Sequence, residues 1–107
     1  MTDALIPWHF VRVSGPSMVP TLKDGDLLLV RVGAAAKPGD VVVARFRSMP
    51  DRLVVKRVRR LTDGGAELVS DNSFAGGDSA THGVADVLGR VILRRPAGTL
   101  RILRLRG

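Results

Sequence analysis

Short apolar runs, each introduced by a turn sequence, constrain the fold of this chain more than any other feature. Leu27–Val32 follows the turn at 24–26, which reads Asp-Gly-Asp, and Val41–Phe46 follows the turn at 38–40, which reads Pro-Gly-Asp. Runs of this length match typical strands and are too short for helices that bury one face. Glycine, proline and aspartate between them mark tight turns. The pattern predicts a chain built mainly from β-strands.

Two further segments show strand patterns next to turn residues. Residues 9–14 alternate between two faces, which predicts a half-buried strand that ends at the Gly-Pro turn of residues 15–16. Residues 53–61 and 66–69 flank the Asp-Gly-Gly sequence at 63–65, which is typical of a hairpin. These strands lie close together in sequence, so they favour antiparallel pairing.

The second half of the chain contains a long polar segment between strand-like regions. Ser70–Gly83 is rich in glycine, aspartate and asparagine and is predicted to be a loop, after which Val84–Leu93 returns to a strand pattern. Residues 100–105 form a tail of arginines and aliphatics that either packs on the sheet or lies on an anionic membrane. We therefore predict one domain over residues 1–107, mainly β, with an antiparallel β-roll or barrel-like fold.

Composition excludes several classes of site. The chain has no cysteine and only two histidines, so neither a disulfide framework nor a thiolate metal site is possible. We expect no metal and no cofactor. A hydrophobic fraction of 45% is typical of a globular protein rather than a disordered one.

The net charge of +7 bears on the binding partners of the protein, and the amino-terminal sequence bears on its cellular location. Fourteen arginines would attract nucleic acid, an anionic membrane or an acidic substrate, although a GC-rich genome also produces such a composition. The opening sequence MTDALIPWHF has neither a cationic leader nor a long apolar run. We expect a cytoplasmic protein with no transmembrane anchor, held at a membrane only if an anchor precedes this sequence.

The segment SGPSMVPTLKDGD at residues 14–26 resembles the nucleophile segment of type I signal peptidases, which are serine–lysine peptidases. The matching positions are Ser17, Met18, Pro20, Thr21, Leu22, Gly25 and Asp26. The resemblance continues at LVVKRVRRL, around Lys56, and at SDNSFAGGDSATHGVADVLGRV, residues 70–91. It implies that Ser17 is a catalytic nucleophile and that Lys56 is its general base.

The pattern around Lys56 agrees with that role. A serine hydroxyl needs a base to take its proton, and a lysine can act as that base only when it is held neutral, which burial favours. In a strand, Lys56 would share a face with Val54 and Val58 and be shielded from water. The structural alternatives are a lysine that extends to solvent and a serine at position 17 that stabilises a turn.

Other parts of the site are expected from the same segments. Met18 and Val19 are predicted to line the cleft, where a substrate would bind as an added strand, and the resemblance implies a preference for small side chains. The backbone N–H of Ser17, which lies on a tight turn, can stabilise the oxyanion of the transition state.

The sequence departs from the family pattern at several positions. Some signal peptidases carry a second serine where this chain has Gly15, so Ser14 is expected to support the site from one residue further away. In the last motif Asp78 matches the family's aspartate and is expected to act in a supporting role. Gly76 and Ala80 replace its serine and arginine.

These features predict a serine endopeptidase that removes an amino-terminal extension or signal-like segment from a precursor protein. A short branch of the family that lacks an anchor matures nickel-type superoxide dismutase, so that precursor is the expected substrate and partner. Processing of secreted precursors is an alternative. The oligomeric state is left open, and no specific nucleic acid is expected.

Three other hypotheses remain. Self-cleavage, as in the SOS repressors, is disfavoured because only thirteen residues precede Ser14, too few for a DNA-binding region. A non-enzymatic basic β module could bind nucleic acid, but four scattered aromatic residues offer little base stacking. A serine–histidine site with His9 or His82 has no supporting spacing.

Overall fold

Seven strands in one antiparallel sheet account for nearly all of the regular structure. A computed structural model describes residues 7–74 and 79–105. The strands are β1 (Trp8–Arg12), β2 (Leu27–Val32), β3 (Val41–Phe46), β4 (Val54–Thr62), β5 (Gly65–Val69), β6 (Ala85–Arg95) and β7 (Leu103–Arg104). In these described ranges the one helix is the four-residue α1 (Ser79–His82), between β5 and β6.

The order of the strands is β1-β2-β6-β3-β4-β5, and β6 contacts more neighbours than any other strand. The last strand of this path, β5, returns to β6 through the pair Ala66 and Ala85, while β7 pairs with the other end of β6. Strands β3 to β6 therefore close into a small barrel, from which β2 and β1 extend. This architecture confirms the prediction of a mainly β, antiparallel fold.

Two hydrophobic cores lie on opposite faces of the sheet and share β3. The first contains Val13, Met18, Leu22, Leu28, Val30, Val41, Val43 and Val91. The second contains Val42, Ala44, Phe46, Val58, Ala66, Leu68 and Ala85. Because side chains alternate along a strand, β3 supplies residues to both cores. This explains why its sequence is a continuous apolar run rather than an alternating one.

The strand predictions are accurate for the apolar runs and less so elsewhere. The bounds of β2 and β3 agree with those predicted, whereas the first strand ends at Arg12 and the predicted loop at 70–83 contains α1. The tail forms β7, and Leu105 packs against the first core, as the packing alternative predicted. Throughout the described ranges, no helix is long and apolar enough to cross a membrane.

Candidate active site

The connection between β1 and β2 holds Ser17 in a constrained turn. Gly15 has a φ of +85°, a conformation that side chains rarely adopt, and its N–H donates to the Asp24 carboxylate at 2.8 Å. The N–H of Gly25 donates to the carbonyl of Val13 at 2.9 Å, which closes the base of the connection. Ser17 is half-buried in this connection.

The residues that follow Ser17 correct one expectation about the cleft. Met18 is 1% exposed and packs in the first core beside Leu22, so it anchors the segment instead of lining the cleft. Val19 is half-buried, and the cleft next to Ser17 is lined by residues 14–17 and not by Val19. The sequence did not reveal this, because an apolar residue beside a nucleophile fits a core and a cleft equally well.

Lys56 is the third residue of β4, lies opposite Val42 of β3, and is 4% exposed. Val42 and Val58 of the second core flank it, so the predicted burial of Lys56 on the apolar face of a strand is confirmed. Its Nζ donates a hydrogen bond to Oγ of Ser70 at 2.8 Å. The hydroxyl of Ser70 therefore helps to hold the amine in place.

Ser70 is a site residue that the sequence reasoning missed. The ladder of β4 with β5 contains a register shift, beyond which Arg57 pairs with Val69. Continuing that register places Lys56 opposite Ser70, whereas a hairpin without the bulge would place it opposite Asp71. Bulges redirect side chains in this way next to active sites. The useful signal was a serine directly after the return strand of the hairpin.

A charged pair fixes the segment that carries Ser70. The guanidinium of Arg57 donates from Nε and Nη2 to the two carboxylate oxygens of Asp71, both at 2.8 Å, and the Thr21 hydroxyl donates to the same carboxylate. The bonds from Arg57 hold the pKa of Asp71 below its ordinary value, although partial burial opposes this, and Thr21 adds to the lowering. The pair links β4 to the nucleophile segment.

Asn72 completes the connection to Ser17. Its backbone N–H donates to the carbonyl of Ser17 at 2.9 Å, and its side-chain amide donates to the carbonyl of Pro16 at 3.1 Å. Asp71 and Asn72 thus join the lysine strand to the serine segment, so residues 70–72 (the bridging segment) set the position of both groups.

Ser17 and Lys56 line the same cleft, which has a volume of about 320 Å³. Its lining comes from residues 14–17, residues 52–56 and the side chains of Phe46, Met49 and His82. Among the described residues no hydrogen bond joins Ser17 to Lys56, and such bonds often tighten only when substrate binds. The backbone N–H of Ser17 has no acceptor within residues 7–74 and 79–105, which leaves it available to an oxyanion.

The other residues named in the sequence analysis do not all lie in the cleft. Ser14 lines the cleft, whereas Asp78 and Gly76 lie outside the described residues. Ala80 is exposed in α1. The imidazole of His82 lines the cleft and packs against the Phe46 ring, with centroids 5.1 Å apart. No group of three potential metal ligands occurs within 7–74 and 79–105.

Comparison with known proteins identifies the family. A LexA repressor of Burkholderia thailandensis is 42% identical over 67 residues, which cover 62% of this chain and 29% of the repressor. LexA repressors of Delftia acidovorans and Cupriavidus pinatubonensis are each 43% identical over 67 residues, covering 28% and 29% of their lengths. The matched part is thus less than a third of these relatives, and none of the three is a signal peptidase. The model of the Peptidase S24-like family matches residues 7–92, most of the chain, and this protein belongs to that family.

Proposed function

We propose that the protein is a serine endopeptidase in which Ser17 is the nucleophile and Lys56 the general base. The observation that carries the proposal is that both residues line one cleft while Lys56 is 4% exposed and flanked by aliphatic side chains. Such surroundings disfavour an ammonium ion and favour the neutral amine that a base requires. Membership of a peptidase-like family supports the same chemistry.

The geometry suggests how each residue acts. The neutral amine of Lys56 takes the proton of the Ser17 hydroxyl as its oxygen attacks a peptide carbonyl carbon. The backbone N–H of Ser17 stabilises the oxyanion. When the C–N bond breaks, Lys56 returns the proton to the leaving amine, and an ester to Ser17 remains. Lys56 then removes a proton from water as the water attacks this ester. It returns that proton to the Ser17 oxygen when the ester bond breaks and the carboxylic acid product leaves.

An extended peptide fits beside β4. Strand β4 pairs with β5 only from Arg57 onwards, so the ladder with β5 does not cover Val54 and Val55, which line the cleft. A peptide that adds to this edge would gain backbone hydrogen bonds and bring its carbonyl towards Ser17. This supports cleavage within an extended segment rather than within a folded domain.

The proposed substrate is an amino-terminal extension or signal-like segment of a precursor protein. The precursor of nickel-type superoxide dismutase is the specific substrate that the signal-peptidase resemblance suggests. A secreted precursor is the alternative within the same reaction class.

A second candidate is cleavage of the protein's own polypeptide. The relatives of this chain are LexA repressors, and the self-cleaving SOS repressors have a serine–lysine site. In that case the segment that is cut belongs to the same chain or to a second copy.

One panel distinguishes these substrates. The purified protein would be incubated with a nickel superoxide dismutase precursor, with a precursor that bears a signal peptide, and alone, and the products identified by intact mass. We expect one arm to give fragments that Ser17→Ala and Lys56→Met abolish, with Ser73→Ala, an exposed serine, as the control. Fragments that persist in Ser17→Ala contradict the proposed mechanism.

A further inference from the structure

Arg52 is a cation in the cleft that the proposed reaction does not use. It lies in the connection between β3 and β4, where its backbone N–H donates to the carbonyl of Met49 at 3.3 Å and both residues line the cleft with Ser17. Its side chain is exposed. The turn therefore places Arg52 in the lining of the cleft that holds the nucleophile.

The guanidinium of Arg52 differs from the arginines that stabilise the fold. Within the described ranges, four arginines form ion pairs with carboxylates of the chain: Arg47, Arg57, Arg60 and Arg94. Arg52 forms none there. Its five N–H donors remain available to an acceptor that enters the cleft, and the fork geometry of a guanidinium matches a carboxylate.

The other residues that line the cleft do not oppose the binding of a negative charge near Arg52. Among the described lining residues there is no aspartate or glutamate, and the amine of Lys56 is already bonded to Ser70. The other walls near Arg52 are apolar, formed by Met49, Leu53 and Val54. A substrate side chain with a negative charge would meet attraction and no repulsion from these residues.

We propose that Arg52 makes the cleft selective for a peptide segment that carries an aspartate or glutamate beside small or apolar residues. This proposal deepens the proposed function, since it names the class of peptide that the same site accepts. Arg52 acts by binding the substrate and not by taking part in proton transfer.

Binding to a protein that cannot cleave separates this proposal from the proposed chemistry. ¹⁵N-labelled Ser17→Ala would be titrated with acetylated, amidated octapeptides of alanine and valine that carry one aspartate, or one asparagine, at each position in turn. NMR shifts of residues 14–17 and 52–56 report occupancy of the cleft and detect weak binding. The same titrations would be run with Arg52→Gln and, as a matched loss of charge, Arg101→Gln, an exposed arginine outside the cleft.

We expect the best aspartate peptide to bind about fivefold more tightly than its asparagine counterpart. This ratio should fall to about one in Arg52→Gln and be unchanged in Arg101→Gln. Three results would each overturn the proposal. They are equal binding of the two peptides, an unchanged ratio in Arg52→Gln, and the absence of any NMR shift at the cleft residues with every peptide. If wild-type protein cleaves peptides without this preference, the proposed function stands and the selectivity does not.

Discussion

At the scale of single residues, the position of the nucleophile depends on the backbone of Gly15. Its φ of +85° lets the chain turn from β1 into the segment that carries Ser17, and no heavy atom outside its chain neighbours would contact an added Cβ within 4 Å. An alanine there would meet backbone strain and no steric clash.

We predict that Gly15→Ala lowers the free energy of unfolding by about 1 kcal/mol and reduces cleavage strongly, because relief of the strain displaces Ser17. Gly98→Ala is a matched control, since Gly98 has a φ of +76° and also has open space around it, but lies outside the cleft. It should lose similar stability in chemical denaturation and keep its activity. Equal activity of the two variants would contradict the role of this turn.

Ser70 is predicted to position Lys56. Ser70→Ala removes the acceptor at 2.8 Å from Nζ, and we expect kcat to fall about tenfold while KM changes little. Ser70→Thr, which keeps a hydroxyl, should recover most of the loss, and Ser73→Ala should have no effect. A Ser70→Ala variant with an unchanged kcat would show that this bond does not orient the base.

Ser17 and Lys56 were predictable because the segments around them resemble those of signal peptidases, whereas residues whose role depends on packing were not. The burial of Lys56 was also predictable, since Lys56 interrupts an apolar strand. Met18 faces the first core and Ser70 faces Lys56 only because of how distant segments pack together. These contacts cannot be derived from local pattern alone.

At the scale of structural elements, the bridging segment and the bulge in β4 together create the site. The bulge sets which residue meets Lys56, and the pair Arg57–Asp71 holds the segment against the nucleophile turn. The bounds of β2 and β3 were predictable because their apolar runs end at turns. The bulge was not, since no residue type marks it in the sequence.

We predict that Asp71→Asn destabilises the protein by about 2 kcal/mol at pH 7, because it leaves a partly buried guanidinium without its charged partner. The pKa of Asp71 is lowered in the folded state, so its contribution is complete above the ordinary carboxylate range and disappears as the pH falls below about 4. Urea denaturation between pH 7 and pH 2.5 should therefore show that the free energies of unfolding of the wild type and the variant become equal in acid.

The exposed pair of Arg60 and Glu67 is the control for this prediction. The Arg60 side chain is 69% exposed, and water and salt screen such a pair, so Glu67→Gln should leave the free energy of unfolding almost unchanged at any pH. If the free energies of unfolding of wild type and Asp71→Asn differ by the same amount at every pH, the ionisation of Asp71 does not contribute to stability and the prediction is wrong.

At the scale of the whole molecule, the net charge of +7 is distributed over a sheet whose arginines partly pair with its own carboxylates. The longest described helix has four residues, too short to read a DNA groove. We predict weak binding to a 20-base-pair duplex that is lost as salt is raised to about 200 mM and is the same in Ser17→Ala. Tight binding that persists at that salt concentration would favour the nucleic-acid alternative.

Cleavage of a diverse peptide library, followed by mass spectrometry, tests the central claim most directly. Wild type, Ser17→Ala and Lys56→Met would be compared side by side, with Ser73→Ala as a control for the loss of a serine. We predict cuts that are present in wild type and the control, that are absent in both site variants, and that lie near acidic residues. Cuts that survive either site variant, or a wild type that cleaves neither the library nor its own polypeptide, would contradict a serine–lysine peptidase.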